Sequence, residues 1–192
     1  MQVEGNIISL LLKTEGLLNG HFLLSSGLHS GKYLQCARIL QHPIYATHFG
    51  ASLAQRFKNQ KIDVVIGPAI GGIIIAYEVA RAFGVRALFA EREEGEMRLR
   101  RGFEIKKGER VVVVEDVITT GGSVSEVVKL VQGIGGEVVG IGALLDRSEG
   151  ITIAGMKPVV LSTIKVETYD PQNCPMCRDK IALVKPGSKQ QL

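Results

Sequence analysis

Glu115 and Asp116 stand side by side directly after four consecutive valines, Val111 to Val114. Val117 and Ile118 follow, and then a run with almost no side chains: Thr119, Thr120, Gly121, Gly122 and Ser123. The valines read as a buried strand, and adjacent carboxylates at the end of such a strand need partners, because burying unpaired charge is costly. Hydroxyls, a cation or a base would serve. The bare run leads into a segment with helical periodicity. Its backbone N–H groups and hydroxyls can therefore converge on an anion that the helix dipole also favours. A ligand with vicinal hydroxyls at one end and a phosphate monoester at the other satisfies both halves, which describes a ribose 5-phosphate. The plainer alternative is a strand-to-helix turn with a solvated acid pair.

Other phosphate and hydrolase signatures are missing: there is no GxxxxGK[ST], no GxGxxG after a strand, no GxSxG and no HExxH. Cys174 and Cys177 form a CxxC pair, but a zinc site needs about four ligands. The remaining thiol, Cys36, is distant in sequence, and the histidines at 21, 29, 42 and 48 show no ligand spacing. The two cysteines are therefore expected to be structural or bystander thiols.

These residues need a scaffold. With 192 residues, 45% hydrophobic and 22% charged, the chain suits one domain with a substantial core. Ile62–Ile66, Val85–Ala90, Val111–Val114, Glu137–Leu145 and Val159–Ile164 read as strands. Ile73–Phe83 reads as a helix stopped by Gly84. Ser123 and Glu126 have capping-box spacing, and Val124, Val127, Val128 and Val131 share one helical face. Pro43 is placed as a first helical residue, with Phe49, Leu53 and Phe57 on one side. Strands alternating with helices imply an α/β fold with a mainly parallel sheet flanked by helices. Glu91–Gly102 (EREEGEMRLRRG) has four Glu, four Arg and no apolar period, which predicts a mobile lid loop.

The same composition narrows partners and location. Net charge is +4 and the pI near 9.0, but the basic residues are scattered, which suits a small anionic substrate and not a nucleic acid. No apolar stretch approaches the roughly 20 residues of a membrane span. The start, MQVEGNIISLLLKTEG, carries Glu4 and no basic flank, unlike a secretion signal. Together with only three cysteines, this gives a cytoplasmic expectation.

The stretch VVVVEDVITTGGS resembles the phosphoribosyl pyrophosphate signature of type I phosphoribosyltransferases: a hydrophobic strand, two acids, then T-[TA]-G-[GT]. Three further segments resemble orotate phosphoribosyltransferases in particular. GPAIGG (Gly67–Gly72) is similar to their pyrophosphate loop, GHFLLSSGLHSGKYLQ (Gly20–Gln35) to their N-terminal hood, and LLDRSEG (Leu144–Gly150) to the strand end that carries a base-binding arginine. MRLRRGF and CPMCRDKIALVKPGSK look like one bacterial branch of that family. The resemblance covers nearly the whole chain in order.

It implies a type I phosphoribosyltransferase fold over residues 1–192, with a small hood built from about residues 1–40 and the C-terminal segment. It also implies phosphoribosyl transfer to orotate, Mg²⁺ as cofactor and a homodimer whose lid closes a site of the neighbouring subunit. Phosphoribosyl pyrophosphate would meet Glu115, Asp116, Val117, Ile118, Thr119, Thr120, Gly121, Gly122, Ser123, Arg92, Ala69 and Ile70, with Glu115, Asp116 and Arg92 serving catalysis. Orotate would meet Thr119, Arg147, Ser25 and the backbone of Tyr33 and Leu34. Mg²⁺ would be held mainly by substrate oxygens, with Glu115 and Asp116 reaching it through water. Related enzymes often carry a cis peptide where this chain has Ala69–Ile70.

Three positions depart from the enterobacterial pattern: Ser25 and Gly71 stand where that form has lysines, and the lid offers Arg98, Arg100 and Arg101 in place of lysines and a histidine. Two rivals remain on sequence alone. A purine-type phosphoribosyltransferase would stack an aromatic where Arg147 follows LLD. A non-catalytic phosphoribosyl pyrophosphate sensor would carry an added nucleic-acid-binding segment, and no helix-turn-helix pattern precedes this domain.

Overall fold

Four valines in succession require cover on both faces of a strand. In the computed structural model, which describes residues 6–24, 26–148 and 150–186, they have it: Val111 to Val114 are all fully buried. The chain opens with α1 (Ile7–Lys13), β1 (Leu17–Leu23), β2 (His29–Leu34), α2 (Ala37–Leu40) and α3 (Pro43–Gln55). Strands and helices then alternate: β3 (Val64–Pro68), α4 (Gly72–Phe83), β4 (Arg86–Glu93), β5 (Glu96–Leu99), β6 (Arg110–Ile118), α5 (Gly122–Gly133), β7 (Glu137–Asp146) and β8 (Val159–Thr163). β9 (Thr168–Tyr169), a single 3-10 turn at Pro171–Asn173 and α6 (Pro175–Arg178) follow. The described residues group into two compact units, 40–164 and 6–39 with 165–186.

The larger unit is built on a six-stranded sheet in the order β5-β4-β3-β6-β7-β8. All neighbouring strands are parallel except β5, which runs antiparallel to β4 at the edge. One face is covered by α5, whose Val124, Val127, Val128 and Val131 are buried against Val64, Ile66, Val111, Val113 and Ile141. Each such valine removed from water contributes at most about 1.5–2 kcal/mol, which makes this stripe the main anchor of the helix. α4 ends as its sequence predicts, with Gly84 left-handed at φ 69°.

In the larger unit two expectations are revised. Ser123 and Glu126 form no capping box: the helix starts earlier, with left-handed Gly121 (φ 73°) as its cap and no side-chain capping bond. Glu126 instead pairs with Arg92 at 2.8 Å. Glu91–Gly102, expected as a lid loop, is also more ordered in secondary structure than its sequence suggests. Residues 91–99 belong to a β4–β5 hairpin in register Ala90↔Leu99 to Glu93↔Glu96, and residues 100–102 turn away from it. Its turn is made by Glu94 (φ 50°) and Gly95 (φ 88°), the double positive φ that suits a two-residue hairpin. Met97 is buried in the core and Leu99 packs beside it. The charges pair with one another: Arg101 holds Glu91 through two bonds of 2.8 Å, and Arg100 reaches Glu93 at 3.2 Å.

The smaller unit holds a three-stranded antiparallel sheet in the order β1-β2-β9. α1 is capped by the Asn6 side chain, which accepts from Ser9 N–H at 2.9 Å, and it buries Ile7, Leu10 and Leu11. The β1–β2 register slips between Asn19 and Phe22, a bulge that contains His21. Two of the four histidines do share ligand geometry, contrary to the sequence reading. His21 and His29 come together with Cys174 and Cys177. Among the described residues, no helix is long and apolar enough to cross a membrane.

Candidate active site

In an open parallel sheet the binding crevice lies beyond the carboxyl ends of the strands, where successive connections diverge to opposite sides. Here that point falls between β3 and β6: β3 leads through α4 to β4 on one side, and β6 through α5 to β7 on the other. Glu115 and Asp116 occupy the end of β6, which runs on to Ile118, beyond the four valines. Glu115 is 8% exposed. Its carboxylate accepts from the Asp116 N–H at 3.1 Å, and Asp116 accepts from the Val117 N–H at 2.8 Å. Burial first, and the neighbouring Asp116 charge second, push the Glu115 carboxyl up to about 9. Burial also raises Asp116, against the hydrogen bonds that favour its charge. The pair is thus held in a place that calls for hydroxyl donors or cations.

The loop after β3 lies against these acids, and its glycines permit so close an approach. A Cβ on Gly71 would stand 2.8 and 2.9 Å from the two Asp116 carboxylate oxygens. One on Gly72 would meet the Val114 carbonyl at 3.0 Å and Glu115 Oε1 at 3.2 Å. The Ala69–Ile70 peptide in this loop is cis, as the resemblance implied. The Ala69 N–H already donates to the Ala90 carbonyl at 2.7 Å, so this amide is not open to a ligand. Ile70 is 85% exposed and faces solvent.

Glu115, Val117 and the run Ile118–Val124 line one concavity of about 50 Å³. Thr119 and Thr120 are exposed, and α5 begins at Gly122, so the helix N-terminus opens into this space. The dimension and chemistry suit a phosphate group.

Arg147 follows the end of β7, and its N–H donates to the Ile118 carbonyl at 2.8 Å, tying it to the end of β6. The turn it stands on is organised by Asp146, a residue that the sequence reading passed over. Asp146 is buried and accepts from Ser148 N–H at 2.7 Å, Ser148 Oγ at 2.5 Å and Gly150 N–H at 3.2 Å. The Asp-x-Ser spacing was its available signal, since Asp commonly bonds the backbone two residues on. Arg92, near the end of β4, donates to the Gly95 carbonyl and pairs with Glu126 of α5. Tyr33 and Leu34 lie on β2 of the smaller unit, and Ser25 lies outside the described residues.

Comparison with known proteins agrees with this geometry. The family model described as phosphoribosyl transferase domain matches residues 35–172. A curated orotate phosphoribosyltransferase of Desulforamulus reducens is 56% identical over 184 residues, covering 96% of both chains. One of Thermotoga maritima is 49% identical, covering 95% of this chain and 98% of its own. Among solved structures, orotate phosphoribosyltransferase from Aeropyrum pernix superposes with a TM-score of 0.70 at 28% identity, covering 81% of this chain and 92% of the other. The chain belongs to the phosphoribosyl transferase family, among its orotate phosphoribosyltransferases.

Proposed function

We propose that the protein transfers the phosphoribosyl group of 5-phosphoribosyl 1-diphosphate to orotate, yielding orotidine 5′-monophosphate and diphosphate in pyrimidine synthesis. The observation that carries this reading is the buried acid pair beside the bare helix-capping loop, at the point where the sheet connections diverge. Full-length relatives that bear this activity in their names support it.

Displacement at the anomeric carbon builds positive charge on the ribose and negative charge on diphosphate, so positioning and electrostatics carry the rate. Ribose hydroxyls donate to Glu115 and Asp116, which replaces the lost water and favours the charged carboxylates. Those charges then stabilise the sugar as it becomes cationic. Thr119–Ser123 hold the 5-phosphate at the α5 N-terminus. Amides after Ala69 in the β3–α4 loop face diphosphate, and Arg92 is available if it exchanges Glu126 for the anion. The guanidinium of Arg147 is shaped for the orotate carboxylate. We read residues 6–39 and 165–186 as the hood, and the active form as a homodimer.

Mg²⁺ is a hard ion that takes oxygen ligands, and the adjacent carboxyls of Glu115 and Asp116 at the end of β6 would help hold it, directly or through water, beside substrate oxygens. Once bound there, the ion would offset the negative charge that builds on the leaving diphosphate.

The test is a spectroscopic assay with orotate, hypoxanthine or uracil as acceptor, with and without Mg²⁺. Consumption of orotate alone, dependent on Mg²⁺, is expected. Turnover of a purine without orotate turnover would overturn the reading in favour of a purine-type enzyme, and binding without turnover would favour a sensor.

A further inference from the structure

A second cluster of chemistry-bearing side chains lies within the smaller unit, made of residues that the proposed reaction does not use. His21 Nε2 stands 2.9 Å from His29 Nδ1, 3.5 Å from Cys174 Sγ and 3.7 Å from Cys177 Sγ. Cys177 Sγ is 3.3 Å from His29 Nδ1, and all four donor atoms lie within 4.8 Å of one another. A tetrahedral zinc with bonds of about 2.0 Å to nitrogen and 2.3 Å to sulfur separates its ligands by about 3.3–3.8 Å. The observed spacings bracket those edges.

The surroundings prepare the ligands. His21 Nδ1 is 2.8 Å from the Ile181 carbonyl, which can only accept. That fixes the proton on Nδ1 and turns the bare Nε2 lone pair toward the cluster, the outer-shell orientation seen around metal-bound histidine. The Ile181 carbonyl is itself placed by a tight turn after Cys177. In it, Lys180 N–H donates to the Cys177 carbonyl at 3.1 Å and Ile181 N–H to the Met176 carbonyl at 3.0 Å, with Lys180 left-handed at φ 55°. The bulge in β1 carries His21, and such bulges re-aim side chains. Three of the four ligands are buried.

We propose that His21, His29, Cys174 and Cys177 form a structural site for one tetrahedral divalent transition ion, zinc by the chemistry of its donors. Two imidazoles and two thiols suit zinc and not Mg²⁺, which takes oxygen ligands. Four protein ligands leave no position for substrate, which makes the site structural and not catalytic. The ion ties the β1–β2 hairpin to a segment about 150 residues later in the chain, within a unit that has a small apolar core of its own. The metal-free alternative is a proton shared between His21 Nε2 and His29 Nδ1, with the thiols free or oxidised to a disulfide.

The full-length protein, purified under reducing conditions without chelator, is assayed for metal by mass spectrometry. One zinc per chain is expected. Chelator-stripped protein titrated with Co²⁺ should show the visible bands of tetrahedral cobalt and a thiolate charge-transfer band, both erased by Zn²⁺. Cys177→Ser should lose stoichiometric binding, and Cys36→Ala should keep it. The cobalt titration needs no variant, so a misfolded Cys177→Ser protein leaves the test intact. Stripped native protein that takes up neither ion, a cobalt spectrum without thiolate character, or a Cys174–Cys177 disulfide in protein kept reduced would overturn the proposal.

Discussion

Glu115 sits at 8% exposure beside a second carboxylate, and its titration links stability to the proposed chemistry. Without ligand it keeps its proton up to about pH 9, whereas in the unfolded chain it ionises near its ordinary 4.5. Between those values the unfolded state has released a proton that the folded state retains, so the stability present below 4.5 is lost as pH rises toward 9. Glu115→Gln removes the titrating group. Its stability advantage over the native chain should be small at about pH 5 and reach roughly a few kcal/mol at about pH 8, read by urea unfolding. Its turnover should fall about 10²–10³-fold, because one charge facing the cationic sugar is lost. Identical unfolding profiles for the two proteins would show that Glu115 is ionised in the fold. Asp146 acts differently, through the turn that presents Arg147. Asp146→Ala should raise KM for orotate about 10–100-fold while leaving KM for phosphoribosyl pyrophosphate nearly unchanged. Asp146→Asn keeps one acceptor for Ser148 N–H and should recover part of the loss. An equal loss for both substrates would assign Asp146 to general folding.

At the scale of elements, the sequence was informative wherever one short stretch contained the whole pattern. The valine run requires a doubly covered strand, and the α5 valines recur at helical spacing, so both are legible in the sequence itself. The β4–β5 hairpin was misread because Met97 and Leu99, the alternating apolar pair of β5, are surrounded by charges that balance each other. Glu94-Gly95 was the available turn signal. The hairpin should therefore show protected amides in hydrogen exchange without ligand, and Met97→Ala should cost about 2 kcal/mol by opening the core. Arg101→Ala should change stability far less than Met97→Ala, since Arg101 itself is largely exposed. Fast exchange throughout the hairpin would restore the mobile-lid reading. The β3–α4 loop has its own test. Gly71→Ala puts a methyl within 2.9 Å of both Asp116 oxygens, so it should lower activity with little loss of stability. Unchanged activity would show that the Asp116 side chain can give way freely.

At the scale of the whole molecule, the histidine–cysteine cluster was illegible for a physical reason: a metal site is local in space, and these ligands come from opposite ends of the chain. The β1 bulge and the turn after Cys177 bring them together, and neither leaves a spacing that can be read off the sequence. The same geometry makes a claim about how stability is divided. Each sheet draws its strands from one unit alone: β1, β2 and β9 from the smaller, and β3 to β8 from the larger. The larger sheet has its own valine-rich core, so it should not depend on a metal bound in the smaller unit. The smaller sheet has three strands, one of only two residues, and such sheets are marginal without further support. A strong chelator added to the ligand-free protein should therefore raise hydrogen exchange across residues 17–34 and 168–184, while residues 64–68, 111–118 and 137–146 keep their protection. Restoring Zn²⁺ should restore protection in the first set. Simultaneous loss in both sheets would mean that the two units unfold as one cooperative body, and no change in either would mean that the smaller unit stands on its apolar contacts alone.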